Sequence, residues 1–223
     1  MKPRTLVDQT LTPDGTTISL YEQDGCYSIR AGGAELMGTR QHASEEKIAQ
    51  LACAHVGAIR GARVLVGGLG FGFTLRAVLA AVAADATVVV AEILAAIIAW
   101  NRNPSYPLAA DALTDRRVVV IERDAGEVIR GAKGSFDSMI LDVDNGPAAL
   151  STAGNQLLYT YEGLRQAYAA LRPAGCVAYW SAAPDRPFER RLKRAGFTVE
   201  VHRSRAHSNS GAWRTLFVGR VKG

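Results

Sequence analysis

A glycine-rich turn between an apolar strand and a predicted helix constrains this fold more than any other feature. Residues Val64 to Gly72 read Val-Leu-Val-Gly-Gly-Leu-Gly-Phe-Gly, and Glu92 ends the next valine-rich run. Gly68, Gly70 and Gly72 leave no side chain between backbone and ligand, and they permit backbone angles that other residues avoid. An acid that ends the second strand of a doubly wound sheet accepts hydrogen bonds from ribose hydroxyls. The pattern therefore predicts a nucleoside-containing ligand on an α/β sheet.

The spacing of these glycines indicates which ligand class is favoured. The run Gly68-Leu-Gly70-Phe-Gly72 has the form G-x-G-x-G, and Phe73 stands where a dinucleotide fingerprint has its third glycine. The motif therefore favours an S-adenosyl ligand over NAD. The alternative is a glycine turn that only packs a helix closely on a strand.

Length and composition predict one α/β domain with a small extra element. The 223 residues are 48% hydrophobic, which is enough for one well-filled core. We expect a small N-terminal β-element at 1–43 and a main α/β domain at 44–223. The apolar runs are too short to span a bilayer, and Met1 to Gln9 lacks the apolar core of a signal peptide, so a soluble cytoplasmic protein is expected. Cys26, Cys53 and Cys176 have unrelated spacings, which predicts reduced interior thiols and no metal site.

The net charge of +5 raises the question of nucleic-acid binding. The late basic residues lie on one predicted helix, 186–195, and in the segment His202 to Arg205. They lack the interleaved aromatic residues of a nucleic-acid platform. A solvated basic surface is favoured, and nucleic acid is not an expected partner.

The order of predicted elements is that of a Rossmann-like transferase. Two alternating runs flank Asp24-Gly25 as a β-hairpin, and Ser44 is predicted to cap the helix that follows. Strands are then predicted at 63–67, 87–92, 117–122 and 136–142, alternating with helices at 72–84, 94–102 and 125–132. Strands with no polar alternation are covered on both faces, so the sheet should be mainly parallel. Helices at 161–171 and 186–195 follow, with strands at 176–180, 198–202 and 213–221. The last two strands are joined by a loop, which predicts an antiparallel edge pair.

Acidic residues follow the third and fourth strands of this predicted sheet. Asp124, before Ala125, could orient an adenine amino group, or it could cap a helix, and the sequence favours neither. Asp142 ends the fourth predicted strand and Asp144 follows it, where the reactive end of the ligand should lie. Transfer from a sulfonium requires alignment of the reacting atoms and removal of a proton from an ammonium nucleophile, which either aspartate could perform. The alternative is an Asx turn before Gly146-Pro147.

These motifs, in this order, resemble the spermidine synthases (polyamine aminopropyltransferases) over most of the chain. The resemblance implies a homodimer that moves an aminopropyl group from decarboxylated S-adenosylmethionine to an amine. It implies Asp142 as the catalytic base and Asp144 as the carboxylate that orients the acceptor, and it places eight residues around the donor: Gly67, Gly68, Gly70, Gly72, Glu92, Ile93, Asp124 and Ala125. Glu46 falls where the family has the glutamate of a Tyr-His-Glu run.

The chain departs from the family pattern at several positions. Gly70 replaces the aspartate that holds the donor's propylamine, and Ser44 and Glu45 replace the tyrosine and histidine of the Tyr-His-Glu run. Glu35 stands where a cofactor-binding glutamine is expected. Two alternatives therefore remain: a methyltransferase that uses S-adenosylmethionine on a small molecule, and a protein that binds adenosyl ligands without turnover.

Overall fold

The N-terminal segment forms an antiparallel sheet that precedes the main domain in the chain. The computed structural model describes residues 3–12, 15–31, 33–143, 156–207 and 210–223. Four strands follow one another in the order of the chain: β1 (Thr5–Leu11), β2 (Thr17–Gln23), β3 (Cys26–Ala31) and β4 (Ala34–Gly38). Asp24 and Gly25 have positive φ angles of 52° and 77°, so they form the predicted tight turn between β2 and β3. The hairpin is confirmed, and β1 and β4 extend it.

The main domain is a seven-stranded mixed sheet. Its strands are β5 (Arg63–Gly67), β6 (Thr87–Glu92), β7 (Val118–Glu122), β8 (Phe136–Leu141), β9 (Leu171–Ser181), β10 (Thr198–Arg205) and β11 (Trp213–Arg220). The strand order is β10-β11-β9-β8-β5-β6-β7, with antiparallel pairing only at β9–β11 and β11–β10. The predicted fold class, a mainly parallel sheet with an antiparallel edge pair, is confirmed.

Helices connect the parallel strands and cover both faces of the sheet. They are α1 (Ala43–Cys53), α2 (Phe73–Ala81), α3 (Ala95–Arg102), α4 (Ala110–Leu113), α5 (Ala125–Arg130), α6 (Tyr161–Ala170) and α7 (Arg186–Arg194), with a 3₁₀ turn at Leu157–Tyr159. The chain turns from β5 towards β6 on one side and from β8 towards β9 on the other. The crevice at the carboxyl ends of β5 and β8 is thus the point where the strand order reverses, and ligands of open α/β sheets bind there.

Ser44 lies inside α1, so the prediction that it caps this helix is wrong. The N-cap residue is His42, and Ser44 is only 1% exposed. Its hydroxyl accepts a hydrogen bond from Trp180 Nε1 and donates one to Glu45, so tertiary partners use the group that a cap would need.

Two apolar clusters fill the opposite faces of the main sheet. Val64 and Val66 face one cluster, while Leu65 faces the other, as the pleat of a strand buried on both faces requires. The first cluster also contains Ile18 and Leu20 of the N-terminal sheet. The two sheets therefore share buried apolar contacts, and the boundary between 43 and 44 stays a prediction.

The strand β9 begins five residues before its predicted start at Cys176. Its first part bends at Ala174, which has a positive φ of 61°, before the regular pairing with β8 begins. Among the described residues, no helix has both the length and the apolar character to cross a bilayer.

Candidate active site

The glycine turn after β5 lies directly against the residue that follows β8. Gly68 has a φ of +86°, and a Cβ atom built on it would lie only 2.3 Å from the carbonyl oxygen of Asp142. The carbonyl of Gly67 accepts the Asp142 N–H at 3.0 Å. A side chain at position 68 would therefore separate the two strand ends, so this glycine is needed for the crevice itself.

Gly70 lies under a side chain of the N-terminal sheet. Its φ is +52°, and a Cβ atom at this position would meet the Met37 sulfur at 3.0 Å. Its carbonyl accepts a hydrogen bond from Asn101 Nδ2 at 2.8 Å, which holds the turn against α3. Met37 therefore lies close to the direction in which an acid at position 70 would project.

Gly67 and Gly72 lie at positions of close packing. A Cβ at Gly72, the N-cap of α2, would lie 2.4 Å from the Cβ of Ala109, and one at Gly67 would lie 2.8 Å from Leu141 Cδ2. For these two glycines the structure supports the packing interpretation, and their assignment to donor binding stays a prediction.

Glu92 is buried at the end of β6, where it fixes the glycine turn. Its side chain accepts the backbone N–H of Leu69 through Oε2 and that of Leu94 through Oε1, both at 2.9 Å. Burial raises the pKa of Glu92, while these backbone donors act in the opposite direction. The backbone N–H groups of Ile93 and Gly70 act on this carboxylate as well. The predicted role of Glu92 on the ribose is still a prediction, as is the role of the adjacent Ile93.

Asp124 caps α5, which confirms one of the two interpretations that the sequence left open. Its Oδ1 accepts the Glu127 N–H at 3.0 Å. Ala125, the first residue of this helix, is 4% exposed and lies close to Gly67. The predicted contact of Asp124 and Ala125 with adenine stays a prediction.

Asp142 lies in a small cavity at the carboxyl ends of β5 and β8. The cavity has a volume of about 120 Å³ and is also lined by Gly68 and Gly70. The Thr74 hydroxyl of α2 is 3.4 Å from Asp142 Oδ2. The structure thus brings together the predicted base and two of the predicted donor-binding glycines. Asp144 lies outside the described residues.

Several cavity residues were missed by the sequence analysis. Met37 of β4, Glu45 of α1 and Trp180 of β9 all line the cavity. Glu46, which matched the family glutamate, does not line the cavity and pairs with His42 at 2.8 Å. The only sequence signal for Glu45 was its place in the altered Tyr-His-Glu run, because the other two come from distant strands.

A larger open groove lies elsewhere on the surface. Its volume is about 580 Å³, and it is lined by residues of α3, the segment after it and β7. It contains none of the predicted site residues. We assign the site to the smaller cavity because the strand order reverses there and because Asp142 and the glycine turn face it.

The described residues show no metal centre, and two thiols are deeply buried. No group of three or more His, Cys, Asp or Glu side chains in the described ranges is arranged to hold a metal ion. Burial raises the pKa of both Cys53 and Cys176 to about 12, so both are protonated at neutral pH.

The comparisons with known proteins identify the fold. Neither a scan against protein-family models nor a search of the curated proteins gave a match. Among solved structures, the spermidine synthase of Thermotoga maritima is 21% identical with a TM-score of 0.75, over 96% of this chain and 72% of that one. A spermidine synthase in complex with the transition-state analogue AdoDATO is 19% identical with a TM-score of 0.75, over 98% of this chain and 72% of that one. A probable spermidine synthase from Corynebacterium glutamicum is 17% identical with a TM-score of 0.63, over 99% of this chain and 81% of that one. This chain therefore has, over nearly its whole length, the fold of the spermidine synthases.

Proposed function

We propose that this protein is a transferase that moves an aminopropyl group from decarboxylated S-adenosylmethionine to an amine. The observation that carries the proposal is the shared cavity of the glycine turn and Asp142, at the point where the sheet reverses its strand order. The structural likeness to spermidine synthases, one of them in complex with an S-adenosyl transition-state analogue, supports it.

The proposed reaction is a direct displacement at the carbon next to the donor's sulfonium. The acceptor amine attacks this carbon, a C–N bond forms, and the C–S bond breaks. Its electron pair stays on sulfur, which becomes the neutral thioether of methylthioadenosine. Because an ammonium has no lone pair, the acceptor must first lose a proton, for which Asp142 is the proposed base. The Thr74 hydroxyl, 3.4 Å from Asp142 Oδ2, would hold that carboxylate in orientation.

The remaining predicted residues complete the proposal at the donor. Gly68 and Gly70 allow the nucleoside to lie against the backbone, Glu92 would bind the ribose hydroxyls, and Asp124 would face the adenine. Asp144 is proposed to orient the acceptor amine. A homodimer is part of the same proposal.

The test is the release of methylthioadenosine with a panel of diamines and polyamines. Asp142→Asn is expected to lower turnover by about a hundredfold to ten-thousandfold, because it removes a positioned base, while affinity for methylthioadenosine stays unchanged. Full turnover in the variant would exclude Asp142 as the base. No product from the wild-type protein with any amine would overturn the proposed activity.

A second activity, methyl transfer from S-adenosylmethionine, is favoured by one observation, the placement of Met37 beside Gly70. Without an acid in the glycine turn, the donor's tail could retain its carboxylate, as in S-adenosylmethionine. A methyltransferase would release S-adenosylhomocysteine in the same assay, which separates the two activities. Tight methylthioadenosine binding without either product would indicate a binding protein.

A further inference from the structure

Glu45 brings a carboxylate into the proposed donor cavity from the N-terminal end of α1. It shares the cavity with Gly70 and Asp142, and none of the described lining residues is a lysine or arginine. Glu46, its neighbour in the chain, is not among those lining residues and pairs with His42. The two adjacent glutamates therefore differ in surroundings, which provides a matched pair for experiment.

A short chain of hydrogen bonds orients the Glu45 carboxylate. Trp180 Nε1 donates to Ser44 Oγ at 3.1 Å, and Ser44 Oγ donates to Glu45 Oε2 at 2.5 Å. Ser44 is 1% exposed and Trp180 is 8% exposed, so both donors are removed from competing water. The chain engages one side of the carboxylate and leaves it further acceptor positions.

The surroundings of Glu45 favour a cationic partner. Burial raises the pKa of Glu45, whereas hydrogen bonds from Ser44 and its own backbone N–H and electrostatic interactions with His42 and Arg214 act against this rise. Because the net direction is upward, these neighbours do not fully compensate the buried charge. A bound ammonium would supply the missing compensation.

Because position 70 is a glycine, an acid that binds an ammonium must come from another part of the cavity. The glycine turn carries no carboxylate there, and Met37 lies 3.0 Å from the point where a Cβ would begin. Phe73 and Trp180 also line the cavity as apolar walls, and their rings already stack on His42 and Arg214. A ligand carboxylate would instead meet the negative charges of Glu45 and Asp142.

We propose that Glu45 is a specificity-determining residue that binds a primary aliphatic ammonium with no carboxylate beside it. Ser44 and Trp180 are its positioning residues. This inference rests on the proposed function, since the ammonium is either the tail of decarboxylated S-adenosylmethionine or the end of the acceptor amine.

Calorimetry with a tail-free reference tests the inference without requiring turnover. Affinities of methylthioadenosine, decarboxylated S-adenosylmethionine and S-adenosylmethionine are measured for the wild type, Glu45→Gln and the control Glu46→Gln. A second arm titrates putrescine into protein saturated with methylthioadenosine. The wild type should prefer the decarboxylated donor over the intact one.

Glu45→Gln is expected to lose about tenfold to a hundredfold in affinity for one ammonium ligand relative to methylthioadenosine. The arm that changes identifies the donor tail or the acceptor as the source of the ammonium. Glu46→Gln should keep the wild-type ratios. Unchanged affinity ratios in Glu45→Gln for both ligands would overturn the inference. A wild type that binds the decarboxylated donor no better than methylthioadenosine and does not bind putrescine would overturn it as well.

A second variant keeps the inference testable if Glu45→Gln does not fold. Ser44→Ala frees the carboxylate from its donor and should lower the same affinity ratio by a smaller factor, and an unchanged ratio would contradict the positioning role. Failure of the proposed function can be told apart from failure of this inference. If Glu45 binds ammonium but neither methylthioadenosine nor S-adenosylhomocysteine is released, the inference stands and the proposed activity falls.

Discussion

At the scale of single residues, Glu92 stabilises the glycine turn, in addition to its predicted contact with ribose. Both of its carboxylate oxygens accept backbone N–H groups, at Leu69 and Leu94. Glu92→Gln would place an NH₂ donor against one of these N–H groups. We expect the variant to lower the free energy of unfolding by about 1–3 kcal/mol, because a buried donor loses its acceptor.

Urea unfolding measures this loss, and methylthioadenosine titration measures any effect on binding. Glu122→Gln is the matched control, since Glu122 pairs with Glu92 in the strand register but is exposed. An unfolding midpoint like that of the control would contradict the structural role of Glu92.

Glu45 provides the prediction of pH dependence at the same scale. Its pKa in the folded protein lies above the usual value of 4.5, so the folded state binds this proton more tightly than the unfolded chain does. The resulting stabilisation is present below the usual carboxyl pKa and is lost as the pH rises through the folded-state pKa. Glu45→Gln removes this titration. Its free energy of unfolding should therefore rise relative to the wild type across that window.

Equilibrium unfolding at a series of pH values checks this sign. Glu46→Gln controls for the loss of one negative charge from α1. A difference between Glu45→Gln and the wild type that does not vary with pH would show that Glu45 titrates alike in both states.

The residues of the site divide into those that the sequence could predict and those that it could not. The glycine turn and Asp142 were predictable, since both follow apolar strands whose carboxyl ends share one edge of a parallel sheet. Met37 and Trp180 were not, because they enter the cavity from strands whose position depends on tertiary pairing. Ser44 was misassigned as a cap for the same reason, since its hydroxyl is used by Trp180.

At the scale of elements, the boundaries of the parallel βα units were predictable to within a few residues. Uninterrupted apolar runs such as Val88 to Ala91 can only be satisfied by cover on both faces. β1 was not predicted because it is an edge strand with an exposed, partly polar pattern. The start of β9 was not predicted because Pro173 and Gly175 lie within it and are typical of turns.

The helix α5 gives a test of the cap formed by Asp124. Asp124→Ala should lower the free energy of unfolding by about 0.5–2 kcal/mol, since the Glu127 N–H loses its acceptor. Asp124→Ser should recover most of this loss, because a serine oxygen can accept the same hydrogen bond. Thermal or urea unfolding of the two variants and the wild type measures these losses. Equal losses in the two variants would mean that capping is not what Asp124 contributes to stability.

At the scale of the whole molecule, the site depends on contact between the two sheets. Met37 of the N-terminal sheet lies over Gly70 of the main domain. We expect Gly70→Asp to be destabilising, although aspartate tolerates the left-handed backbone at this position, because its side chain would be forced against Met37. Met37→Ala should relieve part of that cost.

A double-mutant cycle measures this coupling. The cost of Gly70→Asp should be lower in the Met37→Ala background by about 0.5–3 kcal/mol, as expected for residues in contact. Additive effects would mean that the N-terminal sheet does not restrict the glycine turn. In the double variant, a stronger preference for the decarboxylated donor than in the wild type would show that an acid at position 70 reaches the donor's tail.

The hydrogen bonds from Leu69 and Leu94 to Glu92 have a kinetic consequence. Backbone amides in a turn usually exchange their hydrogens with solvent rapidly, because they have no partner in a helix or sheet. The Leu69 amide is instead held by a carboxylate that is 8% exposed. It should exchange on the timescale of the sheet beneath it even without a ligand, which would mean that the turn of the proposed binding site is formed before any ligand binds.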